Sequence, residues 1–550
     1  MRSLRHVLIV LSLCIWAVTV SGQQAPPDTG KPADLSLTAV GRQHHPIATK
    51  SKEAQEYFEQ GLTLIYGFNH EEAARSFQKA AGLDPASPMP LWGIAVAVGP
   101  NYNQDVDQER EKLAFETIQK AKKLAANAPQ VERDYVDALA TRYSDDPKAD
   151  YKQLARDYAA AMRALSAKYP DDLDAATIYA ESLMDLNPWK LWSNDGKPAE
   201  NTELIVTVLE GVLARDPMHV GANHYYIHAV EASPNPERAL PSAHRLDTAV
   251  PEAGHLVHMP AHIYERTGFY ESAAKANVEA AAADKTYAKK YGQVGSMYDL
   301  MYHSHNEHFL AMAASMTGNY KQAKGAADAM AKRLEPHAKM MPMLDGFMGT
   351  PIWVDARFGK WQEILAYPEP IKELPGTHAL WRYARTIAYA QTGKIAEAER
   401  EETMFIGEVG AMPGDAKFGE MNLASDVFGV ATQVAEARIE AAKGQLDSAV
   451  LHFKNAVEME DKLNYDEPAD WYYPVRESLG AALLADGKAA EAEEVFRADL
   501  VQNPRNPRSL FGLQQALAAQ KKTSDAAWVE RQFAEAWKNA DVKLGSAADL

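Results

Sequence analysis

Two stretches of the chain, His224–Glu231 (HYYIHAVE) and His258–Glu265 (HMPAHIYE), both read H-x-x-x-H-x-x-E and begin 34 residues apart. Imidazole and carboxylate together suit zinc, copper, iron or nickel, and histidines four residues apart on a helix can chelate one ion. Successive helical residues turn by about 100°, so each His, His, Glu triple falls on a narrow stripe of one face. Glu231 and Glu265 then have three candidate roles: ligand, partner that orients an imidazole, or general base.

More histidines share this register. His255, His258, His262 and Glu265 stand thirteen, ten, six and three residues before Gly268, while His305 and His308 stand thirteen and ten before Gly318. His224, His228 and Glu231 stand ten, six and three before Pro234, which takes the turn place in its own segment. The candidate metal ligands are therefore His224, His228, Glu231, His255, His258, His262, Glu265, His305 and His308. Spacing does not choose among Zn, Cu and Fe. Pro260 either kinks the second stripe or begins its helix, which would leave His255 and His258 on an irregular lead-in. His219, His244 and His337 carry no special spacing.

Met297, Met301, Met312, Met316, Met340, Met341, Met343 and Met348 lie near this region. Thioether beside imidazole would favour copper, but methionine at such spacings reads first as adaptable core filler. Tyr225, Tyr226, Tyr264, Tyr298 and Tyr302 are expected to pack between helices. A phosphate-binding glycine loop, H-E-x-x-H, G-x-S-x-G and a cysteine nucleophile are all missing, so no catalytic residue is assigned. Three readings stay open: a metal-binding groove, a metal-dependent enzyme using Glu231 or Glu265 as base, and a metal-free scaffold for a peptide or protein.

The elements that must hold these residues are helical. Alanine-rich amphipathic segments are broken by Gly, Asn-Pro and Asp-Pro, and strand-like alternation is almost absent. From Gly61 the chain gives Ala73, Phe77, Ala80 and Pro85; from Gly480 it gives Ala492, Phe496 and Pro504 at matching offsets. A glycine followed five residues later by alanine recurs at Gly268/Ala273, Gly318/Ala323, Gly393/Ala398, Gly444/Ala449 and Gly487/Ala492. Small residues suit the close approach of two helices, and Pro ends the second one.

These offsets resemble the tetratricopeptide repeat (TPR). The resemblance implies an all-α, right-handed α-solenoid of antiparallel helix hairpins, with the histidine places lining its concave groove. The stretches YGFNHEEAARSF, WGIAVAVGPNYN, GANHYYIHAVEAS, AGHLVHMPAHIY and EPADWYYPVRESLG are more particular than a generic repeat and resemble exported bacterial TPR proteins with His-rich central motifs. The expected division is a signal peptide (1–22), an extended arm (23–50), an N-terminal helical region (51–215), a His-rich centre (216–335) and a C-terminal helical region (336–550).

The chain's start supplies the address. Arg2 and Arg5 precede an apolar run from Val7 to Val20, and Val20-Ser21-Gly22 offers small residues for cleavage before Gln23. An exported, periplasmic or secreted protein is expected. Cys14 is the one cysteine of the sequence, so the exported chain would hold no disulfide and no thiolate metal site. The formal net charge of -18 argues against nucleic acid and anionic lipid as partners. No later segment is long and apolar enough to span a membrane.

Overall fold

The computed structural model describes residues 44–546. The apolar start and most of the arm lie outside the described residues. Within them the chain is helical, and the extended pairing amounts to three isolated bridges, such as Asn101 with Gln104. No helix among the described residues is long and apolar enough to cross a membrane.

The helices begin where side chains can satisfy free amides. Ser51, Asn69, Asp107, Asp150, Asp172, Ser296 and Asn319 each accept a hydrogen bond from the amide three residues on. Consecutive helices pack as tetratricopeptide-type hairpins: Lys52–Tyr66 on His70–Leu83, Met297–Met316 on Tyr320–Ala338, and Ala424–Ala442 on Leu446–Glu460.

Each tight turn needs one left-handed residue in its middle. Gly268, Gly318, Gly393, Gly444 and Gly487 occupy that place with φ between 74° and 79°. Ala273, Ala323, Ala398, Ala449 and Ala492, five residues on, are fully buried where the second helix crosses the first. The aromatic of the repeat fills the adjoining space. A Cβ built on Gly61 or Gly93 would fall 2.7 or 2.5 Å from the Phe77 ring, and one on Gly480 or Gly512 would fall 2.4 or 2.2 Å from Phe496. Neither ring could stay without these glycines.

Two stretches that lack the glycine–alanine signature, about 101–216 and 331–376, are helical too, with Gln108–Ala125 through Thr202–Arg215 in the first and shorter pieces such as Asp345–Met348 and Thr350–Arg357 in the second. One apolar core runs from Ile47 to Val354 and another from Ile352 to Val529, so packing divides near the Thr350–Arg357 helix. Met301, Met341 and Met348 pack on a small cluster of Leu300, Met330, Leu334 and Leu344, whereas Met340 and Met343 are exposed.

The solenoid folds back on itself. Pro504 sits so close that a Cβ on Gly268 would lie 2.0 Å from its carbonyl oxygen, and the Arg505 guanidinium lies 4.0 Å from the centre of the Phe269 ring. Trp537 packs on Gly318, and Asp541 accepts from the amides of Tyr320 and Lys321. This return brings the loop before the Val475–Ala485 helix onto the His-rich centre, where Tyr465 contacts Glu231 and Tyr472 contacts His308.

Candidate metal centre

Four helical segments supply the imidazoles: Val220–Val230, Gly254–His258, Pro260–Arg266 and Met297–Met316. Pro260 is the first residue of its segment, and Met259 before it keeps helical angles of -50° and -35°. The lead-in is thus one helical turn, and it buries His255 and His258 as fully as the following segment buries His262.

Six histidines form two groups. In the first, His224, His228 and His255 each offer a ring nitrogen, and these atoms lie within 4.8 Å of one another. His224 Nδ1 contacts the backbone carbonyl of Tyr66, and His228 Nδ1 lies 2.7 Å from Glu231 Oε1. Each contact puts the proton on Nδ1 and leaves a lone pair on Nε2. Both Nε2 atoms are buried without a partner, as are both ring nitrogens of His255. Unpaired buried polar atoms cost about 1–3 kcal/mol each, so their convergence needs an explanation.

In the second group, His258, His262 and His305 also bring one nitrogen each within 4.8 Å of one another. His258 Nδ1 lies 2.6 Å from Asn277 Oδ1, whose amide nitrogen donates to the Ala273 carbonyl and so fixes which way Asn277 points. His262 Nδ1 lies 2.6 Å from Glu231 Oε2. With both Nδ1 atoms protonated, the Nε2 atoms of His258 and His262 turn lone pairs on each other across 2.7 Å. Only a cation between them, a proton or a metal ion, makes that contact favourable.

Charge follows the same geometry. Burial, added to by neighbouring imidazoles, holds His224, His255, His258 and His305 well below the usual histidine range. Burial also lowers His228 despite Glu231, and takes His308 down to about 3. His262 is the exception: burial opposes its charge, but Glu467 and Glu231 outweigh it and push the imidazole up to about 10. Burial likewise opposes the charge on Glu231, yet His262 and His228 hold it well below the ordinary carboxylate value. Burial and the nearby Glu231 raise Glu467 well above its ordinary value. Five neutral imidazoles beside one firmly ionised carboxylate are a suitable ligand environment for a transition metal, and at His262 a metal ion would take the place of the proton.

Of the nine sequence candidates, the six histidines above and Glu231 meet at this centre. Glu231 also joins His228 and Glu467 in a third possible ligand group. His308 lies outside these groups; its ring stacks on Tyr472 at 5.5 Å and meets Phe347 edge-on at the same distance. Glu265 is in none of them either. Burial raises its carboxyl to about 8, and Oε1 has no hydrogen-bond partner.

Several residues at the centre carry no spacing signal. Glu467 Oε2 approaches His262 Nδ1 to 3.1 Å, although the direction is poor for a hydrogen bond and the oxygen remains unpaired. Tyr465 donates to Glu231 Oε2 at 3.1 Å. Tyr102 packs 5.6 Å from His228 and stacks on Trp189, while Tyr302 meets His255 edge-on at 5.0 Å. Phe68 takes the middle of its turn at φ 54°, where other turns have glycine, and its ring lies 4.5 Å from His224 and 5.3 Å from His255. A bulky residue in that conformation costs roughly 1–3 kcal/mol, a strain typical of functional sites. A signal for most of these existed: each of the five particular sequence stretches contributes a residue here. Phe68, Tyr102, His224, His258 and Glu467 each come from a different one.

The remaining tyrosines pack or cap. Tyr226 donates to Glu210, Tyr264 to Asp247, and Tyr225 lies edge-on to Tyr66. His219 caps its helix and faces Asp174.

No protein-family model and no curated protein matches the chain. Solved structures do. Human IFIT1, as a dimer with m7Gppp-AAAA, is 12% identical over 89% of this chain and 91% of its own, with a TM-score of 0.33. The Cut9–Hcn1 hetero-tetramer of APC/C is 12% identical over 89% of this chain and 94% of that chain, with a TM-score of 0.29. Naa15/Naa10 bound to HypK-THB is 14% identical over 88% and 71%, with a TM-score of 0.22.

Proposed function

We propose that this chain is an exported tetratricopeptide-type protein that binds a transition metal in its interior through the central imidazoles. The observation that carries the reading is the convergence of buried ring nitrogens that have no partner, His224 Nε2, His228 Nε2 and both nitrogens of His255, beside the 2.7 Å approach of His258 Nε2 to His262 Nε2. His224, His228, His258 and His262 are oriented as metal-ligating histidines are: Nδ1 donates to a fixed oxygen and Nε2 faces the other imidazoles. A bound ion would supply Lewis acidity and, if copper or iron, a one-electron couple. Glu231 orients one imidazole in each group, and Glu467 with Tyr465 closes the site over Glu231 and His262.

Export rests on the charged start, the apolar run and the small-residue site before Gln23. The acidic balance favours a metal, a peptide or a small molecule over nucleic acid as partner. A second reading, a metal-dependent enzyme, draws on Glu265. Its buried carboxyl, raised to about 8 and unpaired at Oε1, is charged and able to accept a proton only above that pH, whereas Glu231 is occupied by two histidines and a tyrosine.

The test is metal analysis of the chain from residue 23 onward, purified without a histidine tag. Zinc or copper retained through dialysis, and lost in a His258→Ala, His262→Ala variant of unchanged helix content, is expected. A folded wild-type chain that retains no added Zn(II), Cu(II) or Fe(II) would overturn the reading. For export, sequencing of the product should begin at or near Gln23.

A further inference from the structure

We infer that the centre holds two metal ions, one on His224, His228 and His255 and the other on His258, His262 and His305. The inference rests on the metal reading above and deepens it.

The two groups share no residue, and within each the offered nitrogens are mutually within 4.8 Å, so a small side-chain adjustment brings them to the roughly 4 Å that ligands of one ion require. They are also neighbours: the rings of His228 and His262 are 5.4 Å apart, and those of His255 and His258 are 5.8 Å apart. A single ion would satisfy one group and leave the other's buried nitrogens bare. The His258/His262 contact could be met by one shared proton. The first group has no such relief: His224 Nε2, His228 Nε2 and both nitrogens of His255 are all unpaired. Three buried imidazoles aimed at one place, with no hydrogen bond between them, constitute a ligand set on their own.

Glu231 explains how both groups stay in order. One oxygen fixes the tautomer of His228 in the first, and the other fixes that of His262 in the second. One carboxylate therefore sets a ligand in each group and offsets part of the charge that two cations would bring. Glu467 lies adjacent, with Oε2 unpaired. All six ligand atoms are imidazole nitrogen, which selects zinc, copper, nickel or iron and disfavours magnesium and calcium.

A rival arrangement places one ion on His228, Glu231 and Glu467, whose offered atoms also fall within 4.8 Å of one another. It needs Glu231 to let go of the imidazoles it now orients, and it leaves His224 and His255 without partners.

The experiment is equilibrium dialysis of the tag-free chain against Zn(II), followed by elemental analysis per folded chain. Two equivalents are expected for the wild type, one for His255→Gln, one for His305→Gln, and two for His244→Gln, which lies outside both groups. One equivalent in the wild type, abolished by either single variant or by Glu467→Gln alone, would overturn the two-ion centre and leave the metal reading standing. No retained ion would remove both. Cu(II) loading of the wild type gives a readout independent of variant folding. Two close ions should show a spin count well below two with a half-field line, and two uncoupled spins would count against adjacency.

Discussion

Tyr465 places its hydroxyl 3.1 Å from Oε2 of Glu231, a contact that spans 234 residues of sequence. Beside it, Glu467 reaches the same imidazole, His262, that Glu231 holds. The C-terminal hairpins therefore complete a centre whose histidines all come from the middle of the chain.

Removing that closure should loosen the metal without unfolding the helices. A Tyr465→Phe, Glu467→Gln variant should lose about 10–100-fold in metal affinity, the range typical of outer-shell changes. Competition against a chromophoric chelator measures this, with circular dichroism as the folding control. Unchanged affinity would show that the loop only covers the site.

The two repeat glutamates should behave differently. Glu231→Gln removes the ionised acceptor shared by His228 and His262, and should weaken retention by about 10–100-fold. Glu265→Gln should leave retention unchanged, because Glu265 touches neither imidazole group as a ligand. If Glu265 acts as a base, its variant keeps the metal and loses turnover once a substrate is found. Equal losses of metal from both variants would contradict this division.

Two turn glycines separate conformation from contact. Gly268 and Gly444 have φ of 76° and 79°, but an added Cβ meets nothing near Gly444 and falls 2.0 Å from the Pro504 carbonyl at Gly268. Gly444→Ala should cost about 1–2 kcal/mol, the left-handed penalty alone. Gly268→Ala should cost more and free the return segment, raising hydrogen exchange around Asn506 and Arg508. Similar thermal shifts for the two would mean that the fold-back is weakly held.

The described end of the arm should be fastened in a pH-dependent way. His45 Nδ1 lies 2.9 Å from Asp174 Oδ2, and Asp174 also accepts from Tyr66 and faces His219. Burial works against the His45 imidazolium, but Asp174, with Asp172 and Glu132 behind it, raises its pKa. Burial likewise opposes charge on Asp174, yet His219 and His45 hold it well below the ordinary value. The His45 contribution is complete below about pH 6.5 and fades as pH rises through the raised value; the Asp174 contribution is complete above about pH 4 and fades as pH falls. Exchange protection at Ile47 and Ala48, corrected for intrinsic rate, should therefore be greatest between those limits. His45→Gln should flatten the upper side of the profile; a profile unchanged by it would refute the latch.

The sequence by itself determined the hairpins, because their signals are local. A left-handed turn needs glycine, a close helix crossing needs alanine, and the aromatic of the repeat needs glycines against its ring, as Phe77 and Phe496 show. It also determined which faces carry histidine, since helical register is counted along one strand of chain. Only the tertiary structure decided how those faces meet. The break at Pro260 and the packing of the Met297–Met316 helix divide six imidazoles between two groups, and His308 turns away to stack on Tyr472. Glu467, Tyr465 and Asn277 reach the centre through side chains from other elements. Such contacts follow no period along the chain, because they depend on how far the solenoid curves before its C-terminal hairpins return to Gly268 and Gly318.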